Sequence, residues 1–233
     1  MESLPISQRG DHGYAPESFG QSVLNQTLEV WMPEKKTRLL ILAGQHGEEP
    51  ETTVVLSRAL RTLNQRSPDC AVILSANPDG ILHGTRGNAR GVDLNRNFPS
   101  TNWFENKTSY RWNLDRPDQR IKLSPGEHAK SEPETKHLLE LVTRLQPQLV
   151  ISLHAPLACI DDPRLSEQGK RLSLQSGLKL TDNIGYPTPG SFGSWAIEND
   201  VHLITFELSR LSIEELSAKF SPLFTDVLTG KLL

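Results

Sequence analysis

The chain predicts a three-layer α/β/α fold around a mixed, mostly parallel, twisted sheet. Three observations carry this. Short apolar runs recur at residues 37–43 (TRLLILA), 71–76 (AVILSA), 148–153 (QLVISL) and 202–207 (HLITFE). Segments with apolar residues at helical spacing separate them. The runs are continuous rather than alternating, so both faces of each strand need cover, which helices on either side of a parallel sheet provide.

The elements follow in order. Residues 1–20 are polar with Gly and Pro and are expected to be partly ordered at best. Residues 26–31 alternate like an edge strand. After the run at 37–43, Pro50 stands where a helix can begin, because its missing N–H has no partner to lose there. Residues 51–63 then carry Val54, Val55, Leu56, Leu60 and Leu63 at helical spacing. The run at 71–76 ends in Asn77-Pro78-Asp79-Gly80, a turn by composition. Residues 85–97 read as an ordered polar loop, and 99–126 as a long excursion with little regular structure. A helix is expected over 132–145, with Leu138, Leu139, Leu141, Val142 and Leu145 on its apolar side, and others over 165–178 and 213–228. No internal repeat appears, and 233 residues suit one domain spanning the chain.

The bulk numbers exclude several classes. Hydrophobic content of 36% and charged content of 23% are ordinary for a globular protein. A net charge of -3 and a pI near 6.2 give no reason to expect nucleic acid as a partner. No apolar stretch has the length of a membrane span. The start Met1-Glu2-Ser3-Leu4-Pro5-Ile6 lacks the basic and apolar regions of a signal peptide, so a cytoplasmic protein is expected. Cys70 and Cys159 read as buried thiols rather than a disulfide. A homodimer is a reasonable expectation for a cytosolic enzyme.

The chemistry lies at strand ends. His46 and Glu49 share Gly44-Gln45-His46-Gly47-Glu48-Glu49-Pro50, and His154 ends the run at 148–153, more than a hundred residues later. In open α/β sheets ligands gather at the carboxyl ends of strands. His46, Asn77, His154 and Glu207 all stand at such ends, so they share one edge. Two His and one carboxylate make a common set for catalytic zinc, with a fourth position left for water. Read singly, His46 and Glu49 also fit a surface His beside an acidic helix start, and His154 fits a packed core residue. Glu48 falls at the wrong spacing and is expected in solvent. Glu207 closes a buried strand, where an unpaired carboxylate is costly. It fits a general base for an attacking water, or an ion pair with Arg210. Residues 85–99 (TRGNARGVDLNRNFP) hold three Arg, two Gly and three Asn. Arginine there offers a planar fork for a carboxylate or oxyanion, although Arg90 reads as solvated.

The combination H-G-x-E, R-x-N-x-x-G-V-D-L-N-R-N-F-P, strand-His and T-F-E-L resembles the zinc carboxypeptidase family, over roughly residues 39–208. The resemblance implies a carboxypeptidase A-like fold and one Zn²⁺ per chain held by His46, Glu49 and His154. It implies Glu207 as the catalytic glutamate and Arg86 as the group that polarises the scissile carbonyl and holds the oxyanion. It implies Asn95 and Arg96 as the grip on the substrate's terminal carboxylate, and Tyr186 as a substrate-closing side chain. The segment Pro189-Gly190-Ser191-Phe192-Gly193-Ser194-Trp195-Ala196 is similar to that of the bacterial murein peptide amidases. Those cytoplasmic enzymes cut the γ-D-glutamyl–meso-diaminopimelate bond in recycled cell-wall peptides. A small peptide, murein tripeptide, is therefore the expected substrate. Asp161 or Asp162 is placed to read the extra ammonium of diaminopimelate, though both also fit a helix cap before Pro163. The rival readings are an N-acyl amino acid hydrolase of the aspartoacylase or succinylglutamate desuccinylase type, and a non-catalytic zinc-dependent peptide binder.

Overall fold

The structure, a computed structural model, describes residues 12–111 and 118–232. Its centre is a six-stranded sheet in the order β4-β3-β7-β10-β8-β9. These strands are β3 (Leu39–Leu42), β4 (Cys70–Ile73), β7 (Leu149–His154), β8 (Cys159–Asp161), β9 (Lys179–Thr181) and β10 (Leu203–Glu207). All neighbours pair in parallel except β10 and β8. The sheet is thus mixed and mostly parallel, as the sequence predicts.

The four apolar runs of the sequence are the four central strands, and their lack of alternation has the expected cause. Ile41, Val72, Ile151 and Phe206 point to one side. There they meet Val55, Leu56 and Leu60 of α1 (Pro50–Leu60) and Phe220 and Phe224 of α6 (Ile213–Leu228). Leu40, Leu42, Ile73 and Val150 point to the other side. They pack on Leu138, Leu139 and Val142 of α3 (Pro133–Leu145) and on Phe192 and Trp195 of α5 (Phe192–Glu198). Burial of a large apolar side chain contributes about 1.5–3 kcal/mol, so two such layers hold the strand ends firmly in place.

Several elements differ from the sequence expectation. Within the polar N-terminal stretch β1 (Glu17–Gln21) pairs antiparallel with β2 (Thr27–Val30); residues 1–11 lie outside the described residues. Residues 77–80 do not form an isolated turn. Asn77 caps α2 (Pro78–His83) by accepting from the Gly80 N–H at 2.9 Å, because Pro at the first helical position extends the turn into a short helix. The excursion at 99–126 contains a hairpin, β5 (Thr108–Arg111) with β6 (Arg120–Leu123); part of the excursion, 112–117, is outside the described residues. The short strands β8 and β9 and the helix α5 lack the long apolar runs that would have announced them. The remaining helix, α4 (Glu167–Ser176), is capped by Ser166.

One close approach fixes the loop that follows β3. Gly47 lies against the start of α2, so that a β-carbon there would stand 2.0 Å from the Gly80 carbonyl group. Its N–H donates to Thr85 O at 2.9 Å, which ties the loop at 44–49 to the loop at 85–97. The neighbour is backbone and cannot rotate away. Gly47→Ala is expected to lower the unfolding free energy by about 1–3 kcal/mol, the usual cost of overpacking, as read by denaturant titration. An unchanged midpoint would show that the loop at 44–49 can move away from α2 freely.

Candidate metal centre and cleft

The sheet brings the residues at strand ends together. His154 and Glu207 are register partners on the adjacent parallel strands β7 and β10. His46 follows β3, the other neighbour of β7. Gly44 makes the exit from β3 with a positive φ of 64°, a conformation that glycine adopts without strain. Glu49 precedes Pro50 and makes no side-chain cap of α1; instead Thr52 Oγ1 donates to its carbonyl, which leaves the carboxylate aimed inwards.

His46, Glu49 and His154 are all buried, and one ligand atom from each lies within 4.8 Å of the others. Glu49 Oε1 is 2.9 Å from His46 Nδ1, and Glu49 Oε2 is 3.2 Å from His154 Nδ1. The two Nδ1 atoms are 3.2 Å apart. Both rings therefore turn the same nitrogen inwards. The outward nitrogens are engaged elsewhere: His46 Nε2 donates to Asp93 Oδ1 at 3.2 Å, and His154 Nε2 lies 3.1 Å from Ser152 Oγ. A proton held on Nε2 by a carboxylate leaves the Nδ1 lone pair free as a donor.

The electrostatics favour positive charge at this spot. Burial and Arg86 push the His46 pKa down, but the Glu49 and Asp93 carboxylates outweigh them and raise it to about 9. Burial opposes ionisation of Glu49, yet the two imidazoles hold it below the usual carboxylate range. Two nitrogen donors and one carboxylate, inward-facing and drawn to positive charge, fit a zinc ion.

A cleft of about 820 Å³ opens on this centre. Arg86, Asn95, Arg96, Asp161, Tyr186 and Glu207 line it. Arg86 donates from Nε to Asp93 Oδ2 at 2.9 Å and from Nη1 to Glu48 Oε1 at 3.1 Å and Glu49 Oε1 at 3.3 Å. Asn95 Oδ1 accepts from the Phe192 N–H at 2.9 Å, and Arg96 Nη1 donates to Asn95 O at 2.7 Å. Tyr186 is half-exposed at the cleft wall. Glu207 Oε2 accepts from the Leu157 N–H at 3.3 Å. Burial first, then the Glu49 charge, raises the Glu207 pKa to about 8, in the range where a carboxyl group exchanges protons near neutrality.

Two expectations are corrected. Asp162 does not reach the cleft. It is fully buried, accepts from Ser166 Oγ at 2.6 Å and from the Ser166 and Arg164 N–H groups, and lies 3.4 Å from His202. Its carboxylate is engaged in holding the turn before α4, so it is not available to substrate. Glu48 is not in solvent either. Its pairing with Arg86 draws it in, because the loop at 44–49 is pressed against the loop that carries Arg86. Sequence reading also passed over Asp93, Ser152 and Tyr110. Asp93 carried a signal, being an acid between the apolar Val92 and Leu94 within the arginine-rich block. Ser152 and Tyr110 carried none.

Among the described residues no helix is long and apolar enough to cross a membrane. The zinc carboxypeptidase family model matches residues 14–158. Murein peptide amidase A of Escherichia coli (strain K12) is 46% identical over 219 residues, covering 93% of this chain and 90% of that protein. Murein peptide amidase A of Vibrio campbellii is 42% identical over 214 residues, covering 91% and 86%. The crystal structure of the murein-tripeptide amidase from Escherichia coli O157 superposes with a TM-score of 0.94 at 43% identity and covers 98% of both chains. Bovine thrombin-activatable fibrinolysis inhibitor, at 19% identity and a TM-score of 0.73 over 92% and 88% of the two chains, shares the fold. With its family model, its near full-length relatives and its buried His-Glu-His group in agreement, the chain belongs to the zinc carboxypeptidase family of hydrolases.

Proposed function

We propose that this chain hydrolyses the γ-D-glutamyl–meso-diaminopimelate amide bond of murein tripeptide, with one zinc ion held by His46, Glu49 and His154. The observation that supports it is the position of Glu207 beside a three-donor centre, in a chain nearly half identical to murein peptide amidases over almost its full length. That extent of similarity favours the amidase over the N-acyl amino acid hydrolase. A buried carboxylate with a raised pKa beside the centre favours catalysis over simple peptide binding.

Zinc, when bound, supplies Lewis acidity that polarises the scissile carbonyl and makes water nucleophilic near neutral pH. The rest belongs to the chain. Asn95 and Arg96 bind the terminal carboxylate of the peptide and set the register of the scissile bond. Arg86 donates to the carbonyl oxygen as negative charge develops there, an electrostatic contribution that is large in a site shielded from water. Glu207 takes the proton from the attacking water and returns it to the departing amine. Tyr186, at the rim, closes over the bound peptide.

Asp161 reads the diaminopimelate ammonium. It lines the cleft, and its buried Oδ1 has no hydrogen-bond partner among the described residues. Burial, with Asp162 and Asp182 nearby, raises its pKa to about 6, and a cation of the substrate would restore its charge. Cytoplasmic placement suits the two cysteines, neither of which is in a disulfide.

Glu207→Gln keeps the charge-neutral shape of the protonated acid but cannot accept a proton. It is expected to retain zinc by metal analysis and to lose kcat by about two to four orders of magnitude, the range of general acid–base catalysis. Near-normal turnover would remove Glu207 from the mechanism. Asp161→Asn is expected to lower kcat/KM on the diaminopimelate tripeptide by about 10- to 100-fold, the value of a charge-assisted hydrogen bond. An analogue bearing 2-aminopimelate, which lacks the second ammonium, should be cleaved equally by both proteins. Equal losses on the two substrates would reject the assignment.

A further inference from the structure

The mechanism above asks Arg86 to meet a developing oxyanion, yet a long guanidinium side chain has several rotamers to lose. The structure contains a holder for it. The Tyr110 ring lies 4.2 Å from Arg86 Cζ, close enough for a cation–π contact. Glu48 Oε1 takes Nη1 at 3.1 Å, and Asp93 Oδ2 takes Nε at 2.9 Å. Among the described residues Arg86 Nη2 has no hydrogen-bond partner, so it keeps its donors for a ligand.

The holder is one mechanical unit. Tyr110 sits on β5, paired with Ile121 of β6. Just beyond β6, Ser124 bridges to Val92, and the Asp93 N–H donates to Ser124 O at 2.9 Å. The hairpin that carries Tyr110 is therefore joined to the loop that carries Asp93. Glu48 enters from the opposite loop, which Gly47 ties to Thr85, the residue before Arg86.

We propose that Tyr110 and Glu48 are positioning residues for Arg86, and that Tyr110, although it lines the cleft, acts on the reaction through that guanidinium. This rests on the reading of Arg86 as the oxyanion donor. Glu49 also touches Nη1, but its carboxylate is shared with the metal centre, whereas Glu48 is held between Arg86 and the Tyr110 side chain. The aromatic face restrains the guanidinium plane, and the two acids restrain its edge. Together they fix, before substrate arrives, a guanidinium that lines the cleft, which is the preorganisation that electrostatic catalysis needs.

The test is a double-mutant cycle on the zinc-loaded enzyme with murein tripeptide, comparing Tyr110→Ala, Arg86→Lys and the double variant, with Tyr110→Phe and Glu48→Gln alongside. Tyr110→Ala is expected to lower kcat by about tenfold, as loss of a partly buried cation–π contact implies, with KM and zinc content unchanged. Tyr110→Phe keeps the ring face and should stay within about threefold of the parent rate. Glu48→Gln should also lower kcat rather than raise KM. In the Arg86→Lys background Tyr110→Ala should cost less than about threefold, because the planar partner is gone. A full tenfold loss in that background, or an effect confined to KM, would overturn the proposal by showing that Tyr110 acts on substrate directly. Wild-type rates for Arg86→Lys would overturn the parent reading of Arg86 and this one with it, and that single variant tells the two failures apart.

Discussion

Everything in this site depends on three buried donors meeting at the floor of the cleft. Two imidazole nitrogens face each other at 3.2 Å with a carboxylate oxygen against each. Without positive charge between them, buried lone pairs and a buried carboxylate would repel one another at considerable cost. The chain accepts this arrangement because its sheet leaves no choice. His154 is the last residue of a strand packed on both faces, and His46 and Glu49 sit on a loop that Gly47 presses against α2.

The surrounding residues convert that constraint into a directed field. Asp93 serves two partners at once, with one oxygen on His46 and the other on Arg86. It therefore sets the proton position on His46 and the pose of Arg86 together. Glu207 stands across the same strands from the donors, and its pKa is raised by burial and by the Glu49 charge. One buried carboxylate is thus held ionised and its neighbour held close to neutrality. Pairs of acids pushed apart in this way are the ordinary means of obtaining a proton carrier near pH 7.

The central strands were legible in the sequence because continuous apolar runs have one physical explanation, cover on both faces. The donors were legible for a related reason, since ligands at the ends of such strands converge on one edge. What escaped notice was held by contacts rather than by pattern. Strands β8 and β9 are three residues each, too short to show a period. The hairpin bearing Tyr110 is solvent-facing over much of its length and lacks an apolar signature. Glu48 misleads in the sequence because its spacing speaks only to the metal, whereas its partner is an arginine thirty-eight residues away. Asp162 was legible only as one of two adjacent acids. Which of them faces the cleft depends on the turn that Ser166 closes.

The central claim is that His46, Glu49 and His154 share a single ion. Anomalous diffraction at the zinc absorption edge, from crystals of the purified protein, tests it directly. The account predicts one strong peak per chain within about 2.0–2.2 Å of both Nδ1 atoms and a Glu49 carboxylate oxygen. A peak seated on other side chains, or a zinc-replete crystal with no density among these three residues, would contradict it.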